Sequence, residues 1–397
     1  MPISPRPAVL AMAPYHPPTG NRAEKMRLDF NENTVGCSPR VVELLRESLT
    51  REGLAVYPDY ARVKRTLAEY FDVAPDELLL TNGTDEAIQV LVNTYVDDGA
   101  EVLTLRPSYA MYRFYGEVAA ALVVEVDYRP PRLDFPLDAL VAAIGPQTRA
   151  ILVANPNNPT GTSIGFDAIE RILKAAPHAA VLIDEAYYEF FGVTALDLIG
   201  TYPNLFVSRT FSKVFGMAAM RMGCLFSQPE NIAHTHKAQS PYSVNSCGAG
   251  RGGRGAGSGI RYGVRSRSAG IARSADGGAG KTRHRVRAQL RANFVVGYFG
   301  ARAIEVRDAL REKAILVRDR SYEIPGACAS PSARANRQRG CWKNWSVSGA
   351  RLDLERPDLE GPDRFRYGWS AGGCFGIVSR GDPGDSETLH GRGARAR

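Results

Sequence analysis

The chain has 397 residues, 44% of them hydrophobic and 23% charged, which excludes a wholly disordered polymer and allows two domains with sizeable cores. No apolar run reaches the roughly 18–20 residues that span a bilayer. The N-terminal MPISPRPAVLAMAPYHPP lacks the pattern of a secretory signal, and six cysteines have neither framework nor zinc-ligand spacing, so a reduced, cytoplasmic protein is expected. The formal net charge of +8 is unevenly placed: residues 1–246 carry −7, residues 247–291 +10, residues 292–326 +1 and residues 327–397 +4.

Residues 21–246 read as an α/β protein. The apolar runs 77–80, 101–105, 122–126, 150–154, 180–186 and 204–208 predict buried strands. Helical patterns such as 85–96 and 166–176 lie between them. Such alternation implies a mostly parallel sheet with helices on both faces, and functional groups then gather at the carboxyl ends of the strands. Residues 247–291 break the pattern, with twelve Gly and ten Arg in 45 residues and no fold-forming period. Residues 292–299 again predict a strand, 303–315 an amphipathic helix and 316–326 a strand and turn. From Ala327 the pattern fails once more.

Several strand ends carry candidate chemistry. In TNGTDEAI (81–88) a strand runs into a helix start, whose N–H groups can hold a phosphate; the plainer reading is an N-cap at Thr84 or Asp85. Tyr109, in RPSYAMY, can stack on a planar ligand or simply pack. NPNNPTG (155–161) is a turn that can also hold the Asn158 amide in place. Asp184 closes an apolar strand, where a carboxylate is costly unless paired, either in a structural ion pair or with a protonated ring nitrogen. Tyr187 lies three residues on. Lys213 follows the strand 204–208 and the hydroxyls of Thr210 and Ser212. In an apolar pocket its amine would form a Schiff base with an aldehyde, and Arg221 could pair with a phosphate. Together these residues match what pyridoxal phosphate needs.

The stretches APYHPPTG, RLDFNENTVGCSP, VYPDY, LLLTNGTDEAI, RPSYAMY, NPNNPTGT, IDEAYYEF, SRTFSKVFGMAAMRMG, ANFVVGYF and ILVRDRSYEIPG carry a resemblance. The sequence resembles the fold-type I pyridoxal-phosphate-dependent aminotransferases, and within them the histidinol-phosphate branch. The resemblance implies a large domain with a mostly parallel sheet flanked by helices, plus a smaller α+β domain. Its limits are expected as an N-terminal arm and part of the small domain over 1–40, a large cofactor-binding domain over 41–246, the Gly/Arg-rich segment 247–291, a small-domain remnant over 292–326 and an atypical tail over 327–397.

It also implies roles. Lys213 would bind the cofactor and then move the proton. Asp184 would pair with the pyridine nitrogen, Tyr187 and Asn158 would hold the phenolate oxygen, and Tyr109 would stack on the ring. Gly83, Thr84, Asp85, Ser212 and Arg221 would surround the cofactor phosphate. Tyr57 would reach it from a neighbouring subunit, implying a homodimer. Tyr15 and Arg318 would bind the substrate phosphate, and Asn31 lies in the N-terminal substrate loop. The implied reaction transfers an amino group between L-histidinol phosphate and 2-oxoglutarate, giving glutamate, with no membrane and no nucleic acid involved. Alternatives are an aromatic amino-acid aminotransferase, a decarboxylase of phosphorylated amino acids, and a chain whose small domain is too damaged to fold.

The sequence departs from the family in two places. The Gly/Arg-rich stretch stands where two small-domain helices are expected, and ACASPSARANRQRG replaces an arginine-bearing strand after SYEIPG. GC-rich coding DNA read out of frame yields Arg, Gly, Ala, Ser and Pro, so shifts of reading frame are the expected cause. The competing reading is an RNA-binding Arg-Gly segment. Such segments interleave aromatics, and this one has only Tyr262.

Overall fold

The computed structural model describes residues 3–14, 22, 24–130, 132–249, 286–287 and 291–331, with two further strands at Phe365–Trp369 and Phe375–Ser379. After a short strand β1 (Met26–Leu28), the chain builds its main sheet from seven apolar segments. These are β2 (Leu78–Thr81), β3 (Glu101–Arg106), β4 (Leu122–Asp127), β5 (Thr148–Ala154), β6 (Ala180–Asp184), β7 (Leu205–Thr210) and β8 (Gly223–Phe226). Their order across the sheet is β2-β8-β7-β6-β5-β3-β4. The five strands from β7 to β4 are parallel, and β8 runs antiparallel between β7 and β2.

The apolar runs are continuous because both faces of the sheet are covered. Ile151, Val153, Val181, Ile183, Leu205 and Val207 join one buried cluster. Their neighbours Ala150, Leu152, Leu182 and Phe206 join the other. This is the period-two alternation of a strand with each face under its own helix layer. Helix Gly83–Tyr95 buries Ala87, Ile88, Leu91 and Val92, whereas helix Phe166–Ala175 buries Ile169, Ile172 and Leu173 against the opposite cluster.

A second sheet forms beside the first from distant parts of the chain. Its further strands are β9 (Val286–Arg287), β10 (Phe294–Tyr298), β11 (Ile315–Asp319) and β12 (Ala327–Pro331), in the order β1-β11-β12-β10-β9. The β1–β11 pair is parallel and the other pairs are antiparallel. Helix Ala303–Glu312 links β10 to β11 and buries Ala303 and Leu310. The strand predicted from residue 316 ends at Asp319, a turn follows, and the small residues of β12 complete the sheet.

Residues Met1–Asn336 form one compact unit and Arg337–Arg397 a second. In the second unit β13 (Phe365–Trp369) pairs antiparallel with β14 (Phe375–Ser379). Most of the Gly/Arg-rich segment and of the tail lies outside the described residues. No helix among the described residues is long and apolar enough to cross a membrane, and none of their His, Cys, Asp and Glu side chains group to hold a metal ion.

Candidate active site

Asp184 is the last residue of β6, in register with Ala154 of β5 and Ser208 of β7. It is 4% exposed, and burial raises the pKa of its carboxyl. Donors oppose that shift. Tyr112 Oη donates to Oδ2 at 2.8 Å, Ser208 Oγ to Oδ1 at 2.9 Å and the Ala186 N–H to Oδ1 at 3.2 Å. No cation lies within ion-pair distance of Asp184 among the described residues, so the structural ion-pair reading does not hold.

Lys213 follows β7 past Thr210, whose hydroxyl accepts from the Ser212 N–H at 3.1 Å. The lysine Nζ donates to the Phe30 carbonyl at 2.9 Å and lies 5.9 Å from the centre of the Tyr187 ring. Burial pulls its pKa down to about 8, against the pull of Glu32, Asp85 and Asp184. An amine in this state is unprotonated often enough near neutral pH to act as a nucleophile.

Tyr187 turns inward just after β6. Its hydroxyl accepts from Asn31 Nδ2 at 2.9 Å, and its ring meets Phe294 edge-on at 5.2 Å. Asn31 is itself held by its carbonyl, which accepts from Asn293 Nδ2 at 2.9 Å. Asn158, in the turn after β5, accepts from Arg320 Nη2 at 3.3 Å. The turn is braced by Asn157, whose Nδ2 donates to the Pro107 carbonyl at 3.0 Å.

The helix after β2 begins at Gly83, with Asn82 at the cap position, so it opens earlier than a cap at Thr84 or Asp85 would allow. Gly83 has φ +75°, and a Cβ there would run into the Arg221 guanidinium. Arg221 Nη2 pairs with Asp85 Oδ2 at 3.0 Å, and Tyr109 Oη donates to Asp85 Oδ1 at 2.7 Å. The backbone N–H groups at Gly83 and Thr84 and the Arg221 guanidinium beside them make a corner that can hold an anion. A buried amine, a buried carboxylate without a cation, a phenol and this corner together suit a planar, phosphorylated aldehyde with a basic ring nitrogen.

The remaining predicted residues stand apart. Arg318, on β11, has its guanidinium 5.6 Å from the Phe30 ring centre, so it borders the loop that reaches Lys213. Tyr57 is 75% exposed and stacks on Tyr242 with ring centres 4.4 Å apart. The structure brings it to none of the other site residues. Tyr15 lies outside the described residues.

Sequence reasoning missed Tyr112, Ser208, Asn293 and Arg320. It also missed a buried ion cluster behind β7, where Arg209 Nε lies 2.7 Å from Glu185 and Nη1 3.8 Å from Glu189. The Arg209 guanidinium also lies 3.4 Å from the Tyr188 ring centre. Burial pushes the Glu189 carboxyl up to about 7, against the pull of Arg209. A charged pair inside an otherwise apolar run was the available signal, because such groups demand partners.

Residues 23–252 match the profile of the family described as aminotransferase class I and II. The chain is 37% identical over 222 residues to a histidinol-phosphate aminotransferase of Dehalococcoides mccartyi, covering 55% of this chain and 60% of that protein. It is 36% identical over 239 residues to one of Thermococcus gammatolerans, covering 59% and 68%. The matched part thus spans about 60% of the length of the Dehalococcoides relative. Among solved structures, histidinol-phosphate aminotransferase from Sinorhizobium meliloti in complex with pyridoxal-5'-phosphate aligns with a TM-score of 0.67 at 22% identity, covering 83% of this chain and 93% of that one. The Clostridium acetobutylicum enzyme of the same name aligns with a TM-score of 0.66 at 22% identity, covering 78% and 96%. These likenesses share the fold, and with more than half of its length matched by the family profile, the chain belongs to the class I and II aminotransferases.

Proposed function

We propose that the chain is a pyridoxal-phosphate-dependent aminotransferase that exchanges an amino group between L-histidinol phosphate and 2-oxoglutarate, giving imidazole acetol phosphate and L-glutamate. The observation that carries this reading is the buried Lys213 amine, held between the Phe30 carbonyl and the Tyr187 ring, past the carboxyl end of β7, whose neighbour β6 ends in the cation-free Asp184 carboxylate. The names of the relatives support the substrate. When bound, the cofactor supplies an aldehyde for the lysine and a ring that withdraws electrons from the substrate carbon.

The chain's own residues do the rest. Asp184 keeps a proton on the ring nitrogen. Tyr187 and Asn158 hold the phenolate oxygen, and Tyr109 covers the ring. Gly83, Thr84, Asp85, Ser212 and Arg221 surround the phosphate end, partly through backbone N–H groups. Lys213 Nζ, with a pKa near 8, takes a proton from one atom and returns it to another without leaving the site. Arg318 and Tyr15 receive the phosphate of the substrate, and Asn31 closes the site from the N-terminal loop. The same reading assigns 41–246 to the large domain and 1–40 with 292–326 to the small one. A homodimer, in which exposed Tyr57 completes the partner's phosphate corner, and a cytoplasmic location belong to it too.

The test is glutamate formation by the purified full chain supplied with pyridoxal phosphate, histidinol phosphate and 2-oxoglutarate. The expected result is faster turnover with histidinol phosphate than with aromatic amino acids, and no carbon dioxide from phosphorylated amino acids. Absence of glutamate, together with no borohydride-trapped cofactor on Lys213 by mass spectrometry, overturns the proposal.

A further inference from the structure

Tyr112 is wholly buried on helix Ala110–Val118, one helical turn beyond Tyr109, and the two rings meet edge-on with centres 5.6 Å apart. Its hydroxyl donates to Asp184 Oδ2 at 2.8 Å, while Ser208 and the Ala186 N–H occupy Oδ1. The two carboxylate oxygens are thus held differently. Oδ1 is fixed by the neighbouring strand β7 and by the backbone. Oδ2 has one hydrogen-bond partner among the described residues, and that partner arrives from the helix that Tyr109 caps.

We infer that Tyr112 is a positioning residue that fixes Oδ2 and holds the Asp184 carboxylate ionised and aimed at a protonated ring nitrogen; this rests on the reading of the site given above. The chemistry follows from the donor set. A buried carboxylate is driven towards its neutral form, and only donors to the charged form resist that drive. The Tyr112 phenol is a dependable donor, because burial beside Asp184 raises its own pKa and keeps its proton in place. Without that hydroxyl the carboxylate would retain Ser208 and Ala186, but Oδ2 would lose its restraint and its pairing with a cation would weaken. One helix would then serve two parts of the site, covering the ring with Tyr109 and orienting its counter-ion with Tyr112.

The competing reading is that Asp184 merely satisfies a buried phenol, a structural role. Tyr112→Phe separates the two, since it removes one oxygen and keeps the ring packing. The readout is the dissociation constant of the full chain for pyridoxal phosphate and for its analogue with carbon in place of the ring nitrogen. A positioning role weakens binding of pyridoxal phosphate by roughly three- to tenfold and leaves the carbon analogue within about twofold. The pH at which the bound cofactor changes its spectrum shifts as well, and Ser208→Ala, which takes its donor from Oδ1, shifts it in the same direction. Equal losses with both ligands, or no loss with pyridoxal phosphate, overturn the inference while leaving the cofactor assignment standing. A wild-type chain that binds neither ligand overturns both.

Discussion

Asn31 and Tyr187 are 156 residues apart in the chain and meet through a hydrogen bond of 2.9 Å, the amide donating to the phenol oxygen. Asn31 follows a strand of the small sheet and Tyr187 follows a strand of the large one. The asparagine takes φ +55°, a left-handed conformation that it tolerates better than most side chains. Burial pushes the Tyr187 phenol up, so it keeps its proton. With its lone pair engaged by Asn31, that proton is left for an oxygen inside the site. The contact therefore joins the two sheets and sets the direction in which Tyr187 donates.

Cofactor capture by the apo chain should follow the Lys213 amine. Its pKa is lowered to about 8, so the reactive neutral form grows as pH rises through that value. The rate of adduct formation is expected to climb between about pH 7 and 9 and then level off, as followed by visible absorbance after mixing with pyridoxal phosphate. Lys213→Ala should abolish the absorbance and lower turnover by at least about a hundredfold. A profile that keeps rising towards the ordinary lysine range would contradict the burial argument.

Gly83→Ala tests the anion corner. The new Cβ would displace the Arg221 guanidinium, and the positive φ adds backbone strain. Affinity for pyridoxal phosphate should fall by roughly tenfold or more, whereas affinity for pyridoxal, which lacks the phosphate, should change little. Equal losses with both ligands would mean that the corner does not read the phosphate.

Glu189 sits in the ion cluster behind β7. Its folded pKa, about 7, lies above the ordinary glutamate value because burial disfavours its charge. The folded state therefore binds more protons than the unfolded chain between about pH 4.5 and 7, and the stability associated with that proton is lost as pH rises through the folded pKa. Glu189→Gln should raise the thermal midpoint above pH 7 by a few degrees and do so much less at pH 5. Arg209→Met acts the other way. It strands the Glu185 carboxylate and should cost about 3–5 kcal/mol in urea unfolding.

Residues 247–291 stand where the family resemblance predicts helices, and the family match ends at residue 252. If the reading frame has shifted there, another frame over codons 247–291 encodes helical apolar periodicity, and another over codons 327–397 encodes an arginine-bearing strand. Sequencing the gene decides this. A confirmed frame with no such pattern in the alternatives would leave the segment as a real replacement.

The parallel core was legible because strands buried on both faces are apolar without interruption, as in ILVA before Asn155 and AVLI before Asp184. Strand β8 escaped notice. It has only four residues, and its antiparallel insertion between β7 and β2 depends on chain reversal after Arg221, not on periodicity. At the site, Lys213 and Asp184 announce themselves as charges at strand ends. Tyr112 does not, since an aromatic on the buried face of a helix reads as core until its hydroxyl partner is seen. The Phe30 carbonyl that holds Lys213 is a main-chain group brought in from 183 residues away, and no side-chain pattern encodes that.

The parallel pairing of β1 with β11 joins Met26 to Ile315 and Leu28 to Val317. The segment that supplies Phe30 and Asn31 thus gains its neighbouring strand only from residues made nearly three hundred positions later. During synthesis the large sheet and Lys213 emerge from the ribosome well before that neighbour exists. A product truncated ahead of Ile315 would leave β1 without its neighbouring strand, two residues before the Phe30 carbonyl that holds Lys213.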